Sequence, residues 1–255
     1  MGELNLDQKE EVAESLISYG QEMEEWVKPT DKTRKFGALA ANSFLLGVLL
    51  DRNIPAERAW DAGQWIAESV GDEEEVSVLW ENLEKMEEHK LVGFLRYGYG
   101  GDAFHMYYNK FSEILPDVAS VINEKYYGDP RKIWNGQRDV QKVKDRLEEL
   151  PGIGPALSSM AVLILSRNYG LLGGKEALQQ LDIKPDVHLM RVFYRAGLVS
   201  NDNDKVSAVS IARELSEEFP SALDAPAWEI GRGWCHPQKP DCEGCPITRA
   251  CAKNV

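Results

Sequence analysis

All four cysteines of this 255-residue chain lie near its C-terminus, in the segment "CHPQKPDCEGCPITRAC". They are Cys235, Cys242, Cys245 and Cys251, with the spacing C-x6-C-x2-C-x5-C. Structural disulfides in a chain of this length are usually distributed, so the crowding indicates a metal centre. Four thiolates complete the ligand set of a [4Fe-4S] cluster. They also suit tetrahedral zinc, whose structural sites more often have paired C-x2-C knuckles. The segment has one such pair, which favours iron-sulfur over zinc.

Apolar residues recur at helical intervals along most of the chain, whereas the alternation typical of half-buried strands is nearly absent. The sequence predicts a buried helix over "FGALAANSFLLGVLL". It also predicts a surface helix over "EEEVSVLWENLEKMEEHK" that stops near the glycines of "LVGFLRYGYGGD", and two helices divided at Pro116. Further helices are predicted at about 140–150, 155–167, 186–196 and 205–218. The longest apolar run, residues 36–50, is too short to span a bilayer comfortably. We therefore expect an all-helical protein that does not enter a membrane.

The formal net charge of -13 argues against a general binder of polyanions, because nucleic-acid proteins usually carry a basic surface. The charge is unevenly distributed, however. Residues 1–30 contain eight acidic and two basic residues, whereas residues 151–200 contain five basic and three acidic ones. A local basic region can face a phosphate backbone while the rest of the chain repels it. With no signal peptide in the sequence, we expect a cytoplasmic protein, associated with the nucleoid in a prokaryote.

The stretch "ELPGIGPALSSMAVLIL" predicts a helix-hairpin-helix over residues 138–167, in which one helix ends at "PGIG" and the next begins at Pro155. Gly152 and Gly154 allow backbone angles that side chains forbid, and they remove bulk where another molecule can approach. The amides of the turn and of the second helix's first turn then suit a phosphate oxygen. The same residue types also occur in ordinary helix connections, so the hairpin alone leaves both interpretations open.

Three motifs together carry a resemblance to a known family. "LPGIG", then "KPDVHLMRVFYRAGL", then "WEIGRGWC" with the four-cysteine spacing resemble the helix-hairpin-helix DNA glycosylase superfamily, specifically its endonuclease III branch. The match runs from about residue 140 to 251, and "FLLGVLLDRNIPAERAW" matches more loosely. The resemblance implies a two-lobed, all-α fold with a C-terminal iron-sulfur cluster loop. One domain would comprise 1–35 and 198–255, and the other 36–197 with the hairpin and the catalytic aspartate.

The resemblance also implies a substrate and a catalytic residue. The partner would be double-stranded DNA containing a damaged or mismatched base, bound by a monomer, and the base would leave the stack before reaction. Asp186 occupies the position of the catalytic aspartate, where a carboxylate would stabilise positive charge on the sugar and orient or deprotonate water. An aspartate between Pro185 and a helical run is also an ordinary N-cap, and both roles can coexist.

Ala156 decides the predicted outcome of the reaction. Family members that also cut the DNA backbone have a lysine two residues after the second hairpin glycine, where its amine forms a Schiff base with the sugar. Alanine has no nucleophile, so we predict a monofunctional glycosylase of base excision repair that leaves an abasic site. Two alternatives stay open: a glycosylase with lyase activity through another amine such as Lys184, and a non-catalytic iron-sulfur DNA-binding protein.

The resemblance assigns DNA contacts to hairpin residues, to a turn near the N-terminus and to the cysteine segment. These predicted contacts are Gly152, Ile153, Gly154, Ala156, Asn53, Lys239 and Arg249. Asn53 falls where the family often has a glutamine that fills the gap left by the extruded base. Tyr97 and Tyr99 suit base stacking but are more often partly buried core residues.

The base that is removed does not follow from the sequence. The adenine-removing branch carries a glutamate before "DRN", and the corresponding "FLLGVLL" has none, which disfavours that branch. Uracil or thymine in mismatches, alkylated purines and oxidised bases stay open. The missing lysine favours deaminated or alkylated bases.

Overall fold

The computed structural model describes residues 4–23, 37–101, 103–167, 169–172 and 175–254, without the side chains of residues 167 and 175. Within these ranges every regular element is a helix, which confirms the all-helical prediction. The α-helices are α1 (Leu6–Glu22), α2 (Ala38–Leu50), α3 (Ala56–Val70), α4 (Ser77–Lys85), α5 (Glu88–Tyr97), α6 (Tyr108–Tyr126), α7 (Arg131–Trp134), α8 (Val140–Glu148), α9 (Pro155–Arg167), α10 (Lys175–Gln179), α11 (Val187–Ala196), α12 (Lys205–Leu215) and α13 (Asp224–Gly233). A 3-10 helix, Pro220–Leu223, precedes α13. None of the described helices is both long and apolar enough to cross a membrane.

The chain divides into two compact units, Met1–Lys32 with Val162–Val255, and Thr33–Ala161. The predicted division instead placed 36–197 in one domain and assigned 198–255 to the other. The observed boundary lies inside α9, so Asp186 groups with the cysteine segment and not with the hairpin turn. The physical reason is that the apolar face of α11, including Leu189 and Phe193, is buried in the same core as Val12 and Leu16 of α1.

The Thr33–Ala161 unit is built around the buried helix α2, which packs closely against α3. A Cβ atom on Gly47 would lie 2.2 Å from the ring of Trp60, and one on Gly63 would lie 2.6 Å from the backbone nitrogen of Gly47. Both distances are shorter than van der Waals contact, so the two glycines are required for this approach of the helices. Around this pair, α4 and α5 pack against α6.

Two predicted boundaries in this unit are wrong. Pro116 lies inside the continuous helix α6, although proline removes a helical hydrogen bond. Buried side chains on both sides of it, including Leu115 and Val118, keep the helix in place through packing. The predicted single surface helix is two helices, because Met86 and Glu87 both have extended backbone angles. The second of them, α5, continues into the stretch that the glycines indicated as a loop.

The second unit has its own core, formed by α1, α11, α12, α13 and the 3-10 helix. A Cβ atom on Gly231 of α13 would lie 2.8 Å from the Cβ atom of His188, so α11 and α13 approach closely at this point. Cys235, Cys245 and Cys251 pack on the edge of this core. The core therefore positions both the N-terminus of α11 and the cysteine segment.

Candidate functional site

The predicted helix-hairpin-helix is present, formed by α8, a tight turn and α9. Gly152 has a φ of +91°, a left-handed conformation that side chains disfavour. The side chain of Ile153 is buried, and its N–H donates to the carbonyl of Leu150 at 3.0 Å, so this amide is committed within the turn. In the first turn of α9, the amide of Ala156 has no helical acceptor, and the residue is exposed. The hairpin therefore has fewer backbone amides free to bind a phosphate than the sequence predicted.

A hydrogen bond that the sequence analysis missed joins the two hairpin helices. The hydroxyl of Ser158, which is fully buried in α9, donates to a carboxylate oxygen of Glu148 in α8 at 2.6 Å. A hydrogen bond to a charged acceptor contributes about 1.5–3 kcal/mol. Ser158 itself was visible in the sequence just after the hairpin glycines. Its partner Glu148 lies ten residues earlier in the chain, so the pairing was not predictable from neighbouring residues.

An arginine lies beside the hairpin turn. A Cβ atom placed on Gly152 would be 3.2 Å from Nη2 of Arg52, 3.1 Å from Cδ1 of Leu49 and 3.3 Å from Cγ2 of Ile114. Burial lowers the pKa of the Arg52 guanidinium from its ordinary value. The sequence placed this cation in "DRN", but only the packing of α2 against the hairpin brings it to the turn.

The next residue, Asn53, has a φ of +55° and is exposed. Its amide donates to the hydroxyl of Tyr107 at 3.3 Å. Of the two tyrosines considered for stacking, Tyr97 is 58% exposed, with the guanidinium of Arg96 5.0 Å above its ring. Tyr99 instead is partly buried and packs edge-on against another aromatic ring, which is the commoner role given for such tyrosines.

Asp186 is the N-cap of α11. Its Oδ1 accepts hydrogen bonds from the backbone N–H groups of His188 and Leu189 at 2.8 and 2.9 Å. Within the described part of the chain, Oδ2 accepts no hydrogen bond. The capping role that the sequence indicated is therefore real, and it leaves one carboxylate oxygen for other partners. Lys184 lies two residues before Asp186, and its backbone N–H donates to the carboxylate of Asp224.

The helix that carries Asp186 also holds the start of the cysteine segment. Arg191 donates to the carbonyls of Cys235 and Gly231, each at 2.6 Å, and its Nη2 lies 3.1 Å from Nδ1 of His188. Arg195 donates to the next two carbonyls, of His236 and Pro237, each at 2.7 Å. The two arginines are four residues apart and share one face of α11. In the sequence the two arginines stand only as local positive charge, and this role was not predicted.

The four cysteines line one cavity, whose wall also includes the apolar side chains of Val192, Ile230 and Ile247. Burial raises the pKa of the Cys245 and Cys251 thiols, and the neighbouring cysteines raise both further. Bound metal cations would reverse this electrostatic cost by favouring the thiolate forms.

The surrounding donors also suit thiolate ligands. Nη1 of Arg195 lies 3.6 Å from Sγ of Cys235, and the backbone N–H of Lys253 donates to Sγ of Cys251 at 3.4 Å. N–H donors to cysteine sulfur are one of the means by which proteins tune iron-sulfur clusters. Among the described residues, no group of three or more His, Cys, Asp or Glu side chains is arranged to hold a single metal ion as it stands. Four cysteines around one apolar cavity fit the donor set of a [4Fe-4S] cluster.

The remaining predicted contacts lie in this segment. Lys239 and Arg249 are both exposed, on either side of the central cysteine pair. His188 packs edge-on near Trp228 and contacts Arg191, so its side chain takes part in local packing and hydrogen bonding. Of the predicted site residues, Asp186 and the cysteines thus share one unit, whereas Asn53 and the hairpin residues share the other.

The all-helical fold, the helix-hairpin-helix and the C-terminal four-cysteine segment are the features that the resemblance to the helix-hairpin-helix DNA glycosylase superfamily implied. Similarity to solved structures of this class confirms the fold. One is an endonuclease III trapped in a covalent intermediate with DNA, with a TM-score of 0.61, 15% identity and 96% of each chain covered. Another is a thermostable thymine-DNA glycosylase, with a TM-score of 0.61, 17% identity and 97% of each chain covered.

Sequence comparison gives relatives of the same class. The chain is 23% identical over 147 residues to endonuclease III of Thermotoga maritima, a match that covers 56% of this chain and 57% of that protein. It is 24% identical over 174 residues to the adenine DNA glycosylase of Schizosaccharomyces pombe and 27% identical over 152 residues to the chloroplastic endonuclease III homolog 1 of Arabidopsis thaliana. Each of these two matches covers 57% of this chain and 35% of the relative. No protein-family model matches the sequence. The chain therefore spans just over half of the bacterial relative and about a third of the other two.

Proposed function

We propose that this protein is a DNA glycosylase that hydrolyses the N-glycosidic bond of a damaged or mismatched base in duplex DNA. The observation that carries the proposal is the carboxylate of Asp186, whose Oδ1 is fixed by two backbone amides while Oδ2 accepts no hydrogen bond from the described residues. The names of the relatives, endonuclease III and adenine DNA glycosylase, support the same reaction class.

The chemistry requires a carboxylate of this kind. Breaking the bond between base and sugar builds positive charge on the sugar, and a fixed negative charge stabilises that transition state without reorganising. The two amides orient the group before substrate arrives, so that Oδ2 can face the sugar or a water molecule. Asp186 would then stabilise the sugar cation and orient or deprotonate the attacking water.

We further propose that the enzyme is monofunctional and leaves an abasic site. Ala156 is exposed in the first turn of α9, at the position where lyase members of the superfamily have their lysine, and a methyl group cannot form a Schiff base. Lys184 is the alternative amine, because it lies two residues from Asp186 in sequence. The absence of a nucleophile at 156 favours the monofunctional reaction.

DNA contacts are proposed for each unit separately. In Thr33–Ala161, the amides of Gly152, Gly154 and Ala156 would bind a phosphate oxygen, and the side chain of Asn53 would enter the gap left by the base. The buried side chain and committed amide of Ile153 support a role in forming the turn and not in direct contact. In the other unit, the exposed side chains of Lys239 and Arg249 would contact phosphates.

The four cysteines would hold a [4Fe-4S] cluster. Three observations support this assignment: the number of cysteines, their common cavity, and the N–H donors to Cys235 and Cys251. When bound, the cluster would cross-link the segment from Cys235 to Cys251 and fix the loops that carry Lys239 and Arg249. Iron and acid-labile sulfide in a ratio of one to one would support this assignment, whereas zinc alone would contradict it. We also propose that the protein acts inside the cell, where duplex DNA is present.

The experiment that tests the function is incubation of the purified protein with duplex oligonucleotides that each carry one lesion, analysed with and without alkali. Mismatched uracil and thymine, alkylated purines and oxidised bases make up the set. Strand breaks that appear only after alkali support a monofunctional glycosylase and identify the base. Breaks without alkali support the lyase alternative through Lys184. No base release from any lesion, with retained binding to the duplexes, would favour the non-catalytic alternative.

A further inference from the structure

A buried histidine in the Thr33–Ala161 unit joins two segments that are distant in sequence. His105 is 1% exposed, and its Nε2 lies 2.9 Å from the backbone carbonyl oxygen of Arg52. The backbone N–H of Tyr107 donates to its Nδ1 at 3.0 Å. A carbonyl only accepts and an amide N–H only donates, so both bonds require the neutral imidazole with its proton on Nε2. The surroundings agree, because burial is the main cause that lowers the pKa of His105, and the charges of Arg52 and Arg58 lower it further.

Each of the two joined segments carries exposed side chains next to the residue that bonds to, or is, His105. On one side, the carbonyl of Arg52 directly precedes Asn53, whose side chain is exposed. On the other side, Met106 and Tyr107 are 64% and 41% exposed, although the residue before them is buried. The Asn53 amide and the Tyr107 hydroxyl are in hydrogen-bond contact at 3.3 Å. We call Asn53, Met106 and Tyr107 the polar–aromatic edge.

Three further contacts hold the residues that support the polar–aromatic edge. Arg58 of α3 donates to the carbonyls of Ala103 and Phe104, each at 2.8 Å, which fixes the chain leading into His105. The imidazole itself lies against Phe111, with ring centroids 4.9 Å apart. Arg52 connects the edge to the hairpin, because its guanidinium lies beside Gly152. The edge and the hairpin turn therefore belong to one packed region of this unit.

We propose that His105 is a positioning residue for DNA binding, which holds Asn53 and Tyr107 together as one preformed edge that meets the unpaired bases where a base has left the duplex. The inference rests on the proposed glycosylase function. An amide and a phenol hydroxyl can pair with the polar groups of an orphaned base, and the aromatic ring and thioether suit stacking on its neighbours. Fixing these side chains before binding reduces the entropy lost on association.

The experiment compares the affinity of the 255-residue protein for two duplexes of the same sequence, one intact and one with a tetrahydrofuran abasic analogue. Wild type should prefer the duplex with the analogue, and Asn53→Ala should reduce that preference. His105→Leu removes both hydrogen bonds at similar volume and should reduce the preference about tenfold. In the double variant the two losses should not add, because Asn53 acts through the edge that His105 holds.

Asn42→Leu is the matched control. Asn42 is also buried in this unit, and its side chain also makes two hydrogen bonds, to the Val76 carbonyl and from the Trp80 indole. This variant should lower the melting temperature as His105→Leu does, yet it should leave the preference between duplexes unchanged. Equal loss of preference in both variants would overturn the proposal, because it would reduce His105 to a general stability residue.

Tyr107→Phe keeps the proposal testable if His105→Leu does not fold. It removes only the hydroxyl that Asn53 contacts, and it retains the backbone N–H that donates to His105. We expect about a threefold loss of preference and no further loss when it is combined with Asn53→Ala. Additive losses, or an unchanged preference in a folded His105→Leu, would overturn the role of His105 while leaving the glycosylase proposal intact. A wild-type protein that neither prefers the analogue nor releases any base would overturn both.

Discussion

Arg191 donates its Nε–H to the backbone carbonyl of Cys235 at 2.6 Å, which ties the middle of α11 to the first cysteine. The same helix begins at Asp186, whose carboxylate caps it. One element therefore fixes the direction of the proposed catalytic carboxylate and the start of the proposed cluster segment. Disorder in the cysteine segment would therefore also disturb the position of Asp186, because both are held by this helix.

Replacing Arg191 with Lys should loosen the cysteine segment. A lysine retains the charge but cannot reproduce a planar fork that donates to both Cys235 and Gly231. We expect about 1–3 kcal/mol lower stability and less iron retained per chain during purification. Thermal unfolding and iron analysis measure the two effects. Arg213→Lys is the control, because that arginine also donates through two nitrogens, to the carboxylate of Asp182, but at an exposed site away from the cysteines. It should leave the iron content unchanged and lower the melting temperature only slightly, since solvent screens this ion pair. An Arg191→Lys protein with unchanged iron content and melting temperature would contradict this role of α11.

Replacing Asp186 with Asn should separate catalysis from capping. Asparagine is as good an N-cap as aspartate, so the helix should remain folded. It carries no negative charge and cannot accept a proton from water, so the rate of base release should fall about a hundredfold or more. Single-turnover assays on the lesion found to be cleaved measure this rate.

Asp204→Asn provides the comparison for that variant. Asp204 caps α12 in the same unit, with its side chain accepting from the backbone N–H of Ser207. This substitution should leave the rate of base release unchanged. Similar rates for the Asp186 and Asp204 variants would mean that Asp186 is only a cap.

Replacing Ala156 with Lys should add lyase activity. The new amine would stand at the exposed second position of α9, where the resemblance places the Schiff-base lysine. Borohydride reduction should then trap a covalent adduct with cleaved substrate DNA, which wild type does not form. Val206→Lys is a matched control, since Val206 is the exposed second residue of α12. An adduct formed by wild type in equal yield would show that another amine already acts.

Replacing Gly152 with Ala should weaken the hairpin. Its φ of +91° is strained for alanine, and the new methyl group would press on Leu49, Arg52 and Ile114. We expect a loss of about 1–3 kcal/mol in stability and weaker binding to undamaged duplex DNA, measured by urea unfolding and fluorescence anisotropy. Gly93→Ala is the control, because a Cβ atom at that position in α5 meets nothing within 4 Å. That variant should be neutral or up to about 1 kcal/mol more stable, since alanine is the better helix former.

The pH dependence of stability should reveal the buried neutral imidazole of His105. Its pKa is lowered from 6.5, chiefly by burial and also by the charges of Arg52 and Arg58, while the nearby backbone carbonyls of Arg52 and Leu50 act in the opposite direction. Below pH 6.5 the unfolded chain therefore binds more protons at this residue than the folded chain. The contribution of His105 is fully present above pH 6.5 and is lost as the pH falls through the folded-state pKa.

Urea unfolding at several pH values between about 7.5 and 5 measures this effect. The free energy of unfolding of wild type should fall with decreasing pH more steeply than that of His105→Leu. The difference between the two proteins isolates His105 from the other titrating groups. Parallel curves for the two proteins would contradict the assignment of a lowered pKa to this side chain.

Features that depend on a few neighbouring residues were predictable from sequence. The hairpin followed from Gly152 and Pro155, because left-handed turns and helix starts select these residue types. The capping role of Asp186 followed from its place before an apolar helical run. The spacing of the cysteines indicated a shared centre, and the structure lines one cavity with all four.

Tertiary packing decided the features that join distant residues. Pro116 does not end its helix, because burial of that helix on both sides outweighs one lost hydrogen bond. His105 meets the carbonyl of Arg52, and Arg191 meets that of Cys235, across 53 and 44 residues of chain. The observed boundary between the units also differs from the expected one, because the apolar face of α11 packs with α1. Local sequence by itself determined turns, caps and ligand spacing, since these depend on backbone angles and nearby hydrogen bonds. Only the folded core decided which carbonyls His105 and Arg191 reach, since those contacts depend on how helices far apart in sequence pack together.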